Sequence, residues 1–157
     1  MYSNKASRSI IYIGPSFFES YGTWPNTKFS HGFGLGQVVN ASGWQTLLDT
    51  VPLACEALKG KLVAWEYGNE PDLYLGNSLR SVWDNAIYVS QWQNGTAQIQ
   101  RSLAQACPAM ATGGAYGYIG LSFWGDHNDL DPTTVWNGLK SNGDIKLVSF
   151  HKCASSL

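Results

Sequence analysis

Short, continuous apolar runs bounded by glycine or proline recur along this chain and predict β-strands that are buried on both faces. The clearest runs cover residues 9–14, 61–67 and 145–150. A weaker run covers residues 109–112, at the start of a glycine-rich stretch that continues to Ser122. The pattern therefore predicts four strands spread over the whole chain.

Between these runs, apolar residues recur at every third or fourth position, which is the spacing of one helix face. The predicted helices cover residues 43–59, 85–107 and 132–142. Ser42, Asp84 and Asp131 are placed to cap their starts, and Pro52 predicts a kink or a restart inside the first of them. Strands that alternate with helices predict an α/β fold with a parallel sheet.

The segment from Ser16 to Ser42 shows no period, because glycines and Pro25 interrupt it, and it carries many aromatic residues. A long irregular connection of this kind is often a binding loop, although it could equally pack its own aromatic rings. Ligands of parallel sheets bind beyond the carboxyl ends of the strands. We therefore expect one rim to carry Ser16, Glu70, Asp72 and His151.

Acidic and amide side chains cluster where the strand over residues 61–67 ends. Pro71 disfavours right-handed helical backbone at Glu70, so the extended strand is expected to continue through Glu70. Strict alternation would then point Asn69 and Glu70 to opposite faces, and a twist or bulge is needed if both are to act together. Glu66, deeper in the strand, is expected to be buried in a structural role.

Composition limits the partners. Of the 157 residues, 44% are hydrophobic, 13% aromatic and 13% charged, and the net charge is −1. Without a run of Lys or Arg, nothing indicates nucleic acid or an anionic membrane surface as a partner. No stretch approaches the roughly 18 to 20 apolar residues that span a bilayer, and residues 1–8 lack the apolar core of a signal peptide. Aromatic faces suit sugar binding, although core packing is the expected role of most.

No metal or other cofactor is expected. The cysteines lack the spacing of a zinc site, the acidic loop near Asp126 does not match the calcium pattern, and no glycine-rich nucleotide fingerprint joins a strand to a helix. Cys55 and Cys107 each lie near the end of a predicted helix. Either a disulfide joins them or both are free buried thiols.

The string Trp-Glu-Tyr-Gly-Asn-Glu-Pro-Asp-Leu-Tyr at residues 65–74 resembles retaining glycoside hydrolases that carry Asn-Glu-Pro at the end of the fourth strand of a TIM barrel. More narrowly, it is similar to glycoside hydrolase family 79, the heparanase and β-glucuronidase group, especially its fungal members. Further similar stretches follow in the same order, at residues 13–20, 28–36, 88–92 and 149–151. The resemblance implies a partial (β/α)8 TIM barrel of about four parallel strands with intervening helices.

The resemblance also implies roles for particular residues. Glu70 would be the general acid/base, and Asn69 would hydrogen-bond the 2-hydroxyl of the sugar. His151 resembles a family histidine at the end of the sixth strand, but it could equally be a structural residue. Asp72 would either orient its loop or meet substrate. The other expected substrate contacts on the rim are Ser16, Trp24 and Tyr74.

The chain departs from the family in one essential part. Retaining hydrolysis needs a second carboxylate roughly 5 Å from the first, and the family places it on a later strand, beyond the position of Leu157. Residues 1–157 are therefore expected to form a single incomplete catalytic-domain fragment, without the family's C-terminal β-sandwich. The expected substrate is a glucuronide-type glycoside and the expected location is extracellular. The alternative is a non-catalytic carbohydrate-binding or vestigial protein.

Overall fold

The computed structural model describes residues 13–36, 38–111, 116–125, 129–140 and 143–151. Four strands and four α-helices are present in these ranges. The strands are β1 (Phe29–Phe33), β2 (Leu62–Tyr67), β3 (Tyr118–Phe123) and β4 (Ile145–Phe150). The helices are α1 (Pro15–Glu19), α2 (Ala41–Leu58), α3 (Asn85–Ala106) and α4 (Pro132–Leu139).

The strands form one sheet in the order β1-β2-β3-β4, and each neighbouring pair is parallel. Helices α2, α3 and α4 connect successive strands, which confirms the predicted α/β class and is consistent with part of a barrel. Because all strands run the same way, their carboxyl ends meet at one edge. The residues that follow Tyr67, Phe123 and Phe150 therefore share that edge.

The core lies between the sheet and its helices. Trp65 and Tyr67 of β2 are buried there, and the Tyr118 ring of β3 packs edge-on against Trp92 of α3. Burying one such ring contributes on the order of 4 to 6 kcal/mol of transfer free energy. On the edge strand β4, by contrast, Leu147, Val148 and Phe150 remain about half exposed.

Several predicted element boundaries were wrong. Helix α2 is capped by Asn40, whose side chain accepts the N–H of Gly43, and Ser42 lies inside its first turn. The helix continues through Pro52, so the restart that was one of the two predicted outcomes does not occur. The lost backbone hydrogen bond costs about 3 kcal/mol, and burial of Val51, Ala54 and Leu58 on one face offsets it.

The segment from Ser16 to Ser42 is also more regular than predicted, because it contains α1, a 3-10 helix (Ser20–Thr23) and β1. The strand predicted near residues 109–112 is wrong: Pro108–Met110 forms a 3-10 helix, and the strand follows at β3. Most of the strand predicted over residues 9–14 lies outside the described residues. None of the helices in the described part of the chain is both long and apolar enough to cross a bilayer.

Candidate active site

The backbone turns sharply where β2 ends. Gly68 has a φ of +90°, and Glu70 adopts left-handed backbone with φ 48° and ψ 50°. The expectation of extended backbone through Glu70 is thus wrong. Pro71 disfavours right-handed helix but leaves the left-handed region open, at about 1 to 2 kcal/mol for a residue with a Cβ. The turn frees Asn69 and Glu70 from the strict alternation of a strand.

Glu70 is fastened to the neighbouring strand by its main chain. Its N–H donates to the carbonyl of Ser122 at the end of β3, over 2.9 Å. Leu121 and Ser122 are themselves left-handed, with φ values of 69° and 49°. Sparsely populated backbone of this kind persists where surrounding contacts determine it, and it concentrates at functional sites. The left-handed Glu70 after β2 is therefore hydrogen-bonded to the left-handed Ser122 of β3.

His151 meets Glu70 side chain to side chain. Its Nδ1 lies 2.9 Å from Oε1 of Glu70, and the two side chains are 31% and 30% exposed. The main-chain N–H of His151 donates to the carbonyl of Phe123 over 2.7 Å. The structure thus brings together two of the predicted rim residues, in a hydrogen-bonded pair that water can reach. A carboxyl group in this setting can exchange a proton with a ligand or with water.

A cavity of about 220 Å³ opens between the carboxyl ends of β1 and β2. Polar side chains line it from β2 and from the turn after it: Glu66, Asn69 and Tyr74. Gly32 of β1 leaves room for Glu66, because a Cβ there would lie 3.2 Å from Oε2 of Glu66. Glu66 is half-buried rather than enclosed. Its carboxylate and the exposed Asn69 amide can therefore both receive hydroxyl groups of a ligand.

Tyr74 borders this cavity with a neutral phenol. Its ring is buried and stacks on Trp83 with centroids 5.4 Å apart. Burial raises the pKa of Tyr74 to about 12, and the nearby positive charge of Arg80 only partly opposes that rise. The hydroxyl therefore keeps its proton at neutral pH.

Arg80 borders the site, although no role was predicted for it from the sequence. Its guanidinium donates to the carbonyls of Leu35 and Gly36, in the loop after β1, and lies 5.7 Å from the ring centroid of Tyr74. Arg80 therefore ties the loop after β1 to the loop after β2, and these two loops enclose the cavity. Arg80 is separated in sequence from Gly36 and Leu35 by 44 and 45 positions, and this separation concealed the role.

Asp72 is wholly buried, and its carboxylate is occupied by main-chain donors. The N–H of Trp124 lies 3.0 Å from Oδ1 and 3.1 Å from Oδ2, and the N–H of Gly125 lies 3.0 Å from Oδ2. Of the two roles left open for Asp72, these contacts favour orientation of the loop over contact with substrate.

Ser16 and Trp24 lie elsewhere in the molecule. Ser16 is exposed in α1, and its neighbour Pro15 shares a shallow groove with Leu53 of α2. The carbonyl of Trp24 accepts from Nζ of Lys61, the residue before β2. Trp24 therefore lies near the amino end of β2, whereas Glu70 follows its carboxyl end.

Of the other glutamates of the chain, only Glu66 also lies near the carboxyl ends of the strands. Glu19 and Glu56 are exposed on α1 and α2, and Glu66 lies in the cavity. Within the described ranges, no cluster of three His, Cys, Asp or Glu side chains could hold a metal ion. Glu70 is thus the glutamate that the fold presents at the strand ends beside a histidine.

Residues 122–125 were also missed, although they bind Glu70, Asp72 and His151 through their backbone. The cause is the misplaced strand: it was predicted at the start of the glycine-rich stretch, whereas β3 lies at the end of that stretch. The apolar run from Tyr118 to Phe123, followed by Trp124 and Gly125, was the signal that could have placed this rim segment correctly.

Comparison with known proteins supports a glucuronidase-like relationship. No protein-family model matches the chain. A β-glucuronidase of Neurospora crassa is 53% identical over 154 residues, which cover 94% of this chain and 28% of that protein. A β-glucuronidase of Aspergillus niger is 47% identical over 148 residues, which cover 90% of this chain and 27% of that protein. The chain spans little more than a quarter of each relative and, over that span, is similar to fungal β-glucuronidases.

Proposed function

We propose that this chain carries the acid/base half of a retaining β-glucuronidase of glycoside hydrolase family 79, with Glu70 as the general acid/base. The observation that carries the proposal is the Glu70–His151 pair, 2.9 Å apart at the carboxyl ends of parallel strands and next to Asn69. The names of the fungal relatives supply the substrate class, a β-glucuronide. The same proposal includes the expectation that this chain is a fragment of a catalytic domain. By family resemblance the reaction needs a nucleophile, and we propose no residue of this sequence for that role.

In the proposed reaction, the Glu70 carboxyl gives its proton to the glycosidic oxygen as the bond to the sugar breaks. A second carboxylate, supplied outside this chain, holds the sugar covalently, and Glu70 then takes a proton from the attacking water. His151 holds Oε1 of Glu70 in place between these steps. Asn69 bonds the sugar 2-hydroxyl, an interaction that strengthens in the oxocarbenium-like transition state. The Tyr74 hydroxyl and the Glu66 carboxylate take further hydroxyls in the cavity.

The test grafts this chain into the Neurospora crassa relative, in place of the matched segment, and compares Glu70→Gln with Glu56→Gln. Glu56 is an exposed glutamate on α2 and is the matched control. Loss of a general acid lowers the rate about 10²- to 10⁴-fold. We expect Glu70→Gln to lose activity by this amount on an aryl β-glucuronide with a poor leaving group, and to lose less with an activated one, which departs without a proton.

If Glu70→Gln behaves as Glu56→Gln does on both substrates, Glu70 is not the general acid and the proposal fails. The same assay on the ungrafted chain tests the fragment expectation. Turnover by the chain alone that disappears in Glu70→Gln would show that it contains a nucleophile after all.

The cavity favours a second candidate, a sugar-binding protein without turnover. Asn69, Glu66 and the neutral Tyr74 hydroxyl offer hydrogen bonds to a sugar ring without any need for a nucleophile. Titration of the chain with glucuronic acid, followed by amide chemical shifts, tests this candidate. Saturable shifts at Asn69 together with an inactive graft would favour it over the hydrolase.

A further inference from the structure

We propose that Asp72 is a positioning residue: its buried carboxylate holds the turn at Trp124–Gly125, and that turn sets the placement of Glu70 against His151. The inference rests on the proposed function, because the placement of Glu70 matters only if Glu70 handles a proton. It goes beyond that function by assigning Asp72 a task away from the substrate.

The first step is the shared anchor. Residues 122–125 form one short stretch of backbone, and three separate side-chain or main-chain groups grip it. Glu70 donates its N–H to the Ser122 carbonyl, and His151 donates its N–H to the Phe123 carbonyl. Asp72 accepts the N–H groups of the next two residues. Any movement of this stretch therefore changes the positions of Glu70 and His151 together.

The second step is the stiffness of the link between Asp72 and Glu70. Pro71–Leu73 forms a 3-10 helix, and the N–H of Leu73 donates to the carbonyl of Glu70 over 3.1 Å. Pro71 also fixes its own φ angle. Glu70 and Asp72 thus belong to one rigid turn, so that holding the Asp72 carboxylate also holds the backbone of Glu70.

The third step is the strength of the hydrogen bonds that the Asp72 carboxylate accepts. Hydrogen bonds from N–H groups to a carboxylate are roughly twice as strong as hydrogen bonds between neutral groups. The left-handed backbone at Leu121, Ser122 and Glu70 is unfavourable by itself. A buried anion that binds the adjoining N–H groups supplies the interaction that keeps this backbone in place.

A second aspartate, Asp129, links the same two loops in the opposite direction. The N–H of Asp129 donates to the main-chain carbonyl of Asp72 over 3.1 Å. The carboxylate of Asp129 in turn accepts the N–H groups of Leu75 and Gly76. The loop after β2 and the loop after β3 therefore each hold the other through an aspartate, and neither aspartate needs to touch substrate.

The test uses the full chain and compares Asp72→Asn with Asp49→Asn, an exposed aspartate on α2. The amide group keeps the shape of the carboxylate but replaces one acceptor oxygen with a donor. We expect hydrogen exchange at the amides of Trp124, Gly125 and Glu70 to quicken tenfold or more in Asp72→Asn. Exchange at Ile87, whose N–H is held by Asp84, should stay unchanged.

The NMR resonance of His151 Nδ1 distinguishes a positioning role for Asp72 from a purely structural one. Glu70→Gln removes the charged partner and shifts this resonance, and we expect Asp72→Asn to shift it in the same direction while Asp49→Asn leaves it in place. A His151 resonance that responds to Glu70→Gln but not to Asp72→Asn overturns the inference and leaves the proposed function intact. A resonance that ignores Glu70→Gln instead removes the pair on which the proposed function rests.

The unaltered chain keeps the inference falsifiable if Asp72→Asn does not fold. If residues 70–72 and 122–125 move as one rigid unit, the amides of Glu70, Trp124 and Gly125 open together and show similar protection from hydrogen exchange. Near-random-coil exchange at Trp124 and Gly125 beside a protected Glu70 amide would overturn the inference.

Discussion

Two acidic residues in the same short turn have opposite environments. Glu70 is 30% exposed and its Oε1 lies 2.9 Å from Nδ1 of His151, whereas Asp72 is wholly buried and bonded to main-chain N–H groups. Burial of a carboxylate is tolerated only when hydrogen bonds replace its water. The local sequence gives no sign of this difference in burial, because both are acidic residues flanking the same proline.

His31 is the residue whose environment most clearly predicts a pH effect. Its Nδ1 lies 2.9 Å from the Tyr21 hydroxyl, and burial lowers the pKa of His31 from 6.5 to about 4. The unfolded chain therefore takes up this proton at higher pH than the folded protein does. The stability contributed by neutral His31 is complete above pH 6.5 and is lost as the pH falls from there toward 4.

We expect the free energy of unfolding to fall by about 2 kcal/mol more in the wild type than in His31→Gln between about pH 7.5 and pH 4.5. Urea unfolding of both proteins at the two pH values measures this difference, and titration of the carboxylates largely cancels in the comparison. Equal losses in the two proteins would contradict a lowered pKa at His31.

At the scale of elements, helix α3 shows how a residue that weakens a helix can be required by packing. Gly95 interrupts the apolar spacing of α3 and lowers its helix propensity. In the fold, a Cβ at this position would lie 2.2 Å from Cε1 of Tyr67, whose ring is buried. The absent side chain is what allows α3 to lie against β2, the strand that leads to Glu70.

We therefore expect Gly95→Ala to destabilise the protein, although alanine is the better helix former. Overpacking costs about 1 to 3 kcal/mol and the gain in helix propensity is about 1 kcal/mol, so we expect a net loss of up to about 2 kcal/mol in the free energy of unfolding. Thermal unfolding measures it. Gly22→Ala is the matched control, since a Cβ there meets nothing within 4 Å. Stabilisation by Gly95→Ala would contradict the close packing.

At the scale of the whole molecule, the parallel order of the strands gathers the candidate site from distant parts of the chain. Glu70 and His151 are separated by 81 positions in sequence yet lie in contact. A second long-range link joins α2 to the residue after α3: a disulfide between Cys55 and Cys107, which are 52 positions apart. The sequence left open whether these cysteines were bonded or free, because each one's neighbours in space are set by helix packing.

Reduction of this disulfide is expected to lower the free energy of unfolding by about 2 to 4 kcal/mol, mainly because the unfolded chain regains freedom. Unfolding of the oxidised chain and of Cys55→Ala measures the loss, and peptide mapping by mass spectrometry identifies the bonded pair. Cys153→Ser, at a position outside the described residues, should leave both the bond and the stability in place. A free thiol at Cys107 in the oxidised wild type would contradict the pairing.

The sequence by itself determined the alternation of strands and helices and the caps at Asp84 and Asp131. These features depend on local hydrophobic periodicity and on side chains that form hydrogen bonds with backbone groups a few residues away. The neighbouring residues in the sequence therefore suffice to predict them. Only the tertiary structure decided that Glu70 is left-handed, that His151 is its partner, that Asp72 is enclosed and that Trp24 lies far from the rim. Each of those outcomes depends on contacts with residues distant in sequence, and their free energies override local preference once the sheet brings the strand ends together.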